Sequence, residues 1–241
     1  MQIFRVIYPA HEFDEHKEAG MPVAVVANPK GGVGKTTLAT NLAGYFAAQG
    51  HAVMLGDTDR QQSSREWLAL RPETARPIRT WEINADHIAK PPKGTTHVVL
   101  DTPAGLHGWR LGDLVKMSGY VIVPLQPSMF DILATQSFLR RLADEKPIRH
   151  GEVKLGVVGM RVDMRTRAAE QLQRFVQGLD VPILGYLRDT QNYVQLAAHG
   201  LTLWDVAPSR VAKDVEQWSG ILAWLGARPV EASPANASVA A

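Results

Sequence analysis

The chain has 241 residues, enough for one α/β domain with a substantial core. Its 26 Lys/Arg against 24 Asp/Glu leave a formal net charge of +2, so no global positive excess points to nucleic acid and any basic footprint must be a local patch. Cysteine is absent, which excludes disulfides, thiolate zinc sites and cysteine-ligated iron–sulfur clusters and fits a reducing compartment.

In chain order, residues 1–20 read as a short extension, charged after Tyr8, whose run 3–8 suits an edge strand. From 21 to 227 short apolar runs alternate with segments of helical period. The expected strands are 23–28, 52–57, 97–101, 120–125, 153–160 and 181–187. Most are continuously apolar rather than alternating, as in a parallel sheet covered on both faces. The expected helices are 35–49, which Gly50 ends as a C-cap, then 61–70, 111–117, 132–145, 166–178, 192–199 and 211–225. This alternation predicts an α/β fold: a doubly wound, mostly parallel sheet with helices on both faces. The tail 228–241 is rich in Ala, Ser and Pro and is expected to be disordered. No apolar run reaches the ~20 residues of a membrane span, and the first residues lack a signal peptide's apolar stretch. A cytoplasmic protein is the expectation.

The first strand, the string Pro29-Lys30-Gly31-Gly32-Val33-Gly34-Lys35-Thr36-Thr37 and the first helix follow one another in the order that phosphate binding needs. Glycines at 31, 32 and 34 let backbone N–H groups turn toward an anion with no Cβ in the way. The helix start adds free N–H groups and partial positive charge. Lys35 reaches the β/γ-phosphates in such loops and the Thr36 hydroxyl ligates Mg²⁺. A glycine-rich turn that only joins strand to helix would need three glycines before Lys-Thr by accident, at a background of roughly 7 % glycine. The second strand ends in Asp57-Thr58-Asp59 and the third in Asp101. Carboxylates at this edge of a parallel sheet sit beside the ligand crevice, where they hold magnesium waters or orient an attacking water. Taken alone, the Asp-x-Asp pair is as readily a helix cap.

Two departures from the commonest loop carry more. Pro29 replaces its first glycine, and Lys30 is an added lysine. The string resembles the deviant Walker A motif of the ParA/MinD superfamily, whose P-loop ATPases form ATP-sandwich dimers. By that resemblance Lys30 crosses the interface to the partner's nucleotide. Asp57-Thr58-Asp59-Arg60-Gln61 resembles the family's Asp-x-Asp-Pro-Gln, with Arg60 for Pro, which makes Asp59 the water-activating residue and Asp57 a supporting one. Asp101-Thr102-Pro103 resembles its γ-phosphate switch.

The nucleotide site implied comprises Gly31, Gly32, Val33, Gly34, Lys35, Thr36 and Thr37 for the phosphates, with Thr36 and Asp101 for Mg²⁺. Adenine would lie between Met160-Arg161 and Arg188-Asp189, although Met160 stands where several relatives have a base-bonding Asn.

The resemblance covers most of residues 22–225. Asp57 through Trp67 looks like the small ParA-type ATPases that partition plasmids or chromosomes or position protein cargo. It implies ATP and Mg²⁺ as cofactors and a nucleotide-dependent homodimer. The dimer would bind DNA non-specifically and associate with the nucleoid. A partner of the ParB or cargo-adaptor type would stimulate hydrolysis. Arg161, Arg165, Arg167, Arg188, Arg210 and Lys213 are the candidate DNA contacts. The 228–241 tail has no Lys and only Arg228, so a MinD-like membrane helix is not expected. Alternatives are a MinD-like positioning ATPase or a metabolic P-loop enzyme of the dethiobiotin-synthetase type. Trp109 is a candidate interface anchor, and the histidines show no metal spacing.

Overall fold

The computed structural model describes residues 21–83, 89–106 and 109–226. The expected extension and tail, and His107, lie outside the described residues, as does the side chain of Trp109.

Seven parallel strands form one sheet: β1 (Val23–Val26), β2 (Val53–Asp57), β3 (Ile78–Arg79), β4 (His97–Asp101), β5 (Tyr120–Leu125), β6 (Lys154–Gly159) and β7 (Ile183–Tyr186). Their spatial order is β3-β2-β4-β1-β5-β6-β7. The chain runs outward from β1 through β2 to β3, returns to β4 beside β1, and then runs outward on the other side through β5 to β7, so β1 flanks the point where strand order reverses. In doubly wound sheets that is where ligands bind.

Nine helices surround the sheet among the described residues: α1 (Lys35–Ala48), α2 (Ser63–Ala69), α3 (Trp109–Met117), α4 (Met129–Asp144), α5 (Lys146–Arg149), α6 (Arg167–Gln177), α7 (Gln191–Ala197), α8 (Pro208–Glu216) and α9 (Ser219–Trp224). Strand alternation divides the core in two. Val23, Val25, Val121 and Val123 point to the layer that holds Leu114, Phe138, Leu142 and Leu172. Ala24, Val26, Val99 and Ile122 point to the layer that holds Leu38, Leu42, Phe46 and Trp218. Both faces are therefore dry, which is why the strands read as unbroken apolar runs.

The structure departs from the sequence expectations in three places. α5, a single turn with Pro147 at its start, is a helix that was not expected. β3, only two residues long and bounded by Pro77, adds a seventh strand at the edge beside Val53 and Met54. The single helix expected over 211–225 is two helices. Gln217 N–H and Trp218 N–H donate to Asp214 and Val215, three residues back, which tightens the end of α8 before α9 begins. The break lets α9 lie against β7: a Cβ on Gly220 would collide with the Leu184 carbonyl. Trp218 and Ile221 are fully buried there.

Candidate functional site

β1 leads through buried Ala27 and Asn28 into a loop that closes at α1. Gly32 and Gly34 take left-handed backbones, φ +74° and +95°. At Gly34 a Cβ would in addition lie 2.8 Å from Met160 Cε and push that methyl aside. α1 starts at Lys35 with no side-chain cap and no acidic residue in its first turn. Its leading N–H groups and positive end are thus left for an anion.

The Lys35 side chain is buried, and its ammonium donates to the Lys30 carbonyl at 2.8 Å. Desolvation lowers its pKa, against the opposing pull of Asp101 and Asp59. A cation held this way gains most from a phosphate placed in the loop.

Neighbouring strands hold the loop in shape. Asn28 Nδ2 donates to Pro124 O (2.8 Å) and to Thr135 Oγ1 of α4 (3.0 Å), while Asn28 Oδ1 accepts from Lys30 N–H (2.8 Å). Gln126, just past β5, donates from Nε2 to Gly32 O at 2.9 Å. Gly105 N–H donates to Pro29 O at 2.9 Å, joining the segment after β4 to the loop. Asn28, Gln126 and Thr135 were not anticipated. Their bonds between strands and loop span 94 to 107 residues in sequence, and only the Asn28–Lys30 bond is local.

The parallel register places Asp57 beside Asp101 at the carboxyl edge of β2 and β4. Their environments differ. Asp57 Oδ2 accepts from Ser64 N–H and Ser64 Oγ (both 2.8 Å) and from Arg65 N–H (3.3 Å), and Oδ1 accepts from Asp59 N–H (2.9 Å). Asp57 therefore caps α2 from a distance, the alternative that its spacing left open. Asp59 is half-buried and spends one bond on Gln61 N–H at 3.1 Å.

Asp101 is 2 % exposed and accepts the Thr36 hydroxyl proton on Oδ2 at 2.7 Å. Its Oδ1 is buried with no hydrogen-bond partner among the described residues. Burial, which outweighs the Thr36 bond, pushes its pKa up to about 7. A buried carboxylate with one orphaned oxygen beside a hydroxyl fits a hydrated magnesium ion, which takes few protein ligands and completes its shell with water and phosphate. Among the described residues no group of three His, Asp or Glu could hold a metal by itself.

The residues expected around adenine divide. Met160 is buried in the core and packs under Gly34. Arg161 is exposed with a left-handed backbone, φ +53°. Arg188 Nε donates to Asp214 of α8 at 2.6 Å, and Asp214 is fully buried; Asp189 is exposed. Of the candidate DNA contacts, Arg161, Arg165, Arg167, Arg210 and Lys213 are exposed. Arg165 is paired with Asp163 at 2.9 Å. Arg188 stands apart, because Asp214 neutralises it and Asn192 shares that carboxylate.

A glycine loop before an uncapped helix, a buried lysine over the loop and a carboxylate–threonine pair at the switch point define a P-loop nucleotide-binding protein. Residues 24–203 match the family model described as the CobQ/CobB/MinD/ParA nucleotide binding domain, and the chain belongs to that family, the ParA/MinD superfamily of ATPases.

Among relatives, a "Maintenance of carboxysome distribution protein A" from Gloeobacter kilaueensis is 29 % identical over 186 residues, covering 75 % of this chain and 83 % of that protein. The "Chromosome-partitioning ATPase Soj" of Thermus thermophilus is 28 % identical over 181 residues, covering 61 % and 72 %. Among solved structures, an ATP complex of Cyanothece McdA superposes with a TM-score of 0.66 at 16 % identity, covering 88 % of this chain and 98 % of that one. A plasmid partition protein from Borrelia burgdorferi bound to AMPPNP gives 0.63 at 16 % identity, covering 86 % and 99 %. At such identities the structural likeness speaks for the fold. No described helix is long and apolar enough to cross a membrane.

Proposed function

We propose that this chain is a ParA-like ATPase that closes into an ATP-sandwich dimer, binds DNA non-specifically in that state, and partitions or positions a cargo. Hydrolysis is slow until a partner protein of the ParB or cargo-adaptor type stimulates it. The observation that carries this reading is Lys30. Its N–H is fixed by Asn28 and its carbonyl by Lys35, while its ammonium has no ion-pair partner among the described residues. A lysine with both backbone ends pinned at the mouth of a phosphate loop is well placed to serve a nucleotide other than its own.

Within one subunit, Lys35 and the free N–H groups of α1 bind the phosphates. Thr36 and Asp101 would hold Mg²⁺, which supplies charge neutralisation at the phosphates when bound. Asp59, less committed than Asp57, orients the attacking water. Arg161, Arg165, Arg167, Arg210 and Lys213 supply phosphate contacts to DNA, and the dimer associates with the nucleoid.

Sizing by light scattering with ADP, with ATP and with ATP plus DNA tests this. A dimer is expected with ATP alone, and a DNA complex that dissolves as salt rises. Lys30→Ala should bind ATP but stay monomeric; a normal ATP dimer from that variant removes the role in trans. Asp59→Ala should hold the dimer and stop turnover.

A further inference from the structure

Among the described residues, four of the six large apolar side chains left in solvent stand on segments that leave the sheet after β5 and β6. Met129, Phe130 and Leu133 on the first turns of α4 are 52 %, 78 % and 54 % exposed, and Met164, in the loop after β6, is 47 % exposed. Phe130 and Leu133 are three residues apart and Met129 and Leu133 four, so all three share one helix face. The opposite face of α4 carries Ile132, Thr135, Phe138 and Leu142 into the core. α4 and the Met164 loop follow adjacent strands, β5 and β6, at the same carboxyl edge that holds the phosphate loop.

This face is tied to the loop by two contacts. Gln126 reaches Gly32 O from the segment that starts α4, and Asn28, which fixes Lys30, also donates to Thr135 inside α4. The helix that carries the apolar face is therefore braced against the phosphate loop at both its start and its buried side.

Size and charge together identify what covers it. Four partly exposed side chains offer a few hundred Å² at most, against about 800 Å² per partner in a stable interface. The remainder has to come from the adjoining edge, where Gly31 and Gly32 are exposed and half-buried Lys30 has no ion-pair partner among the described residues. In a closed two-fold dimer the same patch faces both ways, which brings like-charged lysines to the edge. Nucleotide phosphates are the negative charge that this arrangement lacks.

We infer that Met129, Phe130, Leu133 and Met164 are the apolar anchor by which a second copy of this chain closes over the occupied phosphate loop. The inference rests on the ATP-dependent dimer proposed above and adds the surface that holds it. Phe130, an aromatic ring at the rim of a charged site, has the character of a binding hot spot.

The test uses the full chain with a non-hydrolysable ATP analogue and Mg²⁺, comparing the parent with Phe130→Ser, Phe130→Leu and Val194→Ser. Val194 is another exposed apolar residue, on α7. Sedimentation should show the dimer dissociation constant of Phe130→Ser raised at least tenfold. Phe130→Leu should retain most of the affinity and Val194→Ser all of it. Nucleotide affinity measured on dilute monomer should match the parent in every case.

Because the chain has no cysteine, Leu133→Cys gives a second readout. Its thiol should react freely with a maleimide without nucleotide and be protected with it, more so at higher protein concentration. A Phe130→Ser variant that dimerises like the parent overturns the inference, and so does one that dimerises normally but loses stimulation by a partner protein. A parent that stays monomeric with nucleotide overturns the dimer itself, a separate result.

Discussion

Thr36 donates its hydroxyl proton to Asp101 Oδ2 at 2.7 Å, while the other oxygen of the same buried carboxylate has no partner among the described residues. One side chain is thus half satisfied, in a place where an unsatisfied polar atom costs about 1–3 kcal/mol. Asp101→Asn should leave the nucleotide-free protein at least as stable, because a buried charge is removed. It should also cancel the rise in melting temperature that Mg·ATP gives the parent, a stabilisation of roughly 2.7 kcal/mol at a hundredfold excess over Kd. Thermal unfolding with and without Mg·ATP checks both halves. A variant stabilised by Mg·ATP like the parent would remove Asp101 from the site.

Gln126 and Asn28 both shape the phosphate loop, but from different environments. The Gln126 bond to Gly32 O is exposed, so water can replace it. Gln126→Ala should weaken nucleotide binding about tenfold, close to 1.4 kcal/mol, with little change in stability. Asn28 is fully buried and bonds three partners. Asn28→Ala should cost about 2–3 kcal/mol of stability as well as affinity, since those partners are left unpaired. Titration with a fluorescent nucleotide and urea unfolding separate the two effects.

Arg71 and Asp205 form an almost wholly buried ion pair at 2.8 Å, and Arg71 also donates to Arg76 O and Gly200 O. This ties the turn after α2 to the segment before α8, where Asp205 in addition caps Thr202. Removing one partner strands the other in a dry site. Arg71→Ala should cost about 3–5 kcal/mol. The lost stability should appear as a lower urea midpoint, with nucleotide affinity unchanged where the protein is folded. A loss below 1 kcal/mol would show that water reaches the pair.

His97 and His51 stack with ring centroids 3.9 Å apart beside Phe46. Burial first, and the neighbouring His51 second, push His97 down to about 4 from its ordinary 6.5. The folded chain thus takes this proton less readily than the unfolded one. The contribution of His97 is present above pH 6.5 and is lost as pH falls toward 4. Because the ring is half exposed, the effect is discounted to about 1 kcal/mol between pH 7.5 and pH 5. His97→Gln should flatten that slope in unfolding measured across the range. An unchanged slope would assign the pH dependence to other groups.

The strand–glycine loop–helix unit was legible because its geometry is local. Left-handed glycines and an uncapped helix start at Lys35 are both written in consecutive residues. Continuous apolar runs likewise announced strands covered on both faces. β3 was not legible, since two residues beside a proline carry no period. The break at Gln217 was hidden because the apolar spacing of Val211 and Trp218 runs on across it.

Asp57 and Asp59 show where spacing stops being informative. The pair is two residues apart in sequence, yet one carboxylate is consumed by the start of α2 and the other is held by a single N–H. Only the return of the chain at Ser64 decides between them. Arg188 is the same case, a cation in sequence that buried Asp214 neutralises in space.

The sequence by itself determined where a glycine loop opens onto the first helix and which strands must be buried, because those properties belong to short stretches of chain. The tertiary structure alone decided that Asn28, Gln126 and Thr135 brace the loop, that one Asp101 oxygen has no partner among the described residues, and that Phe130 stands in solvent on the first turn of α4. Those properties depend on strand order, which brings residues about a hundred positions apart to one edge of the sheet.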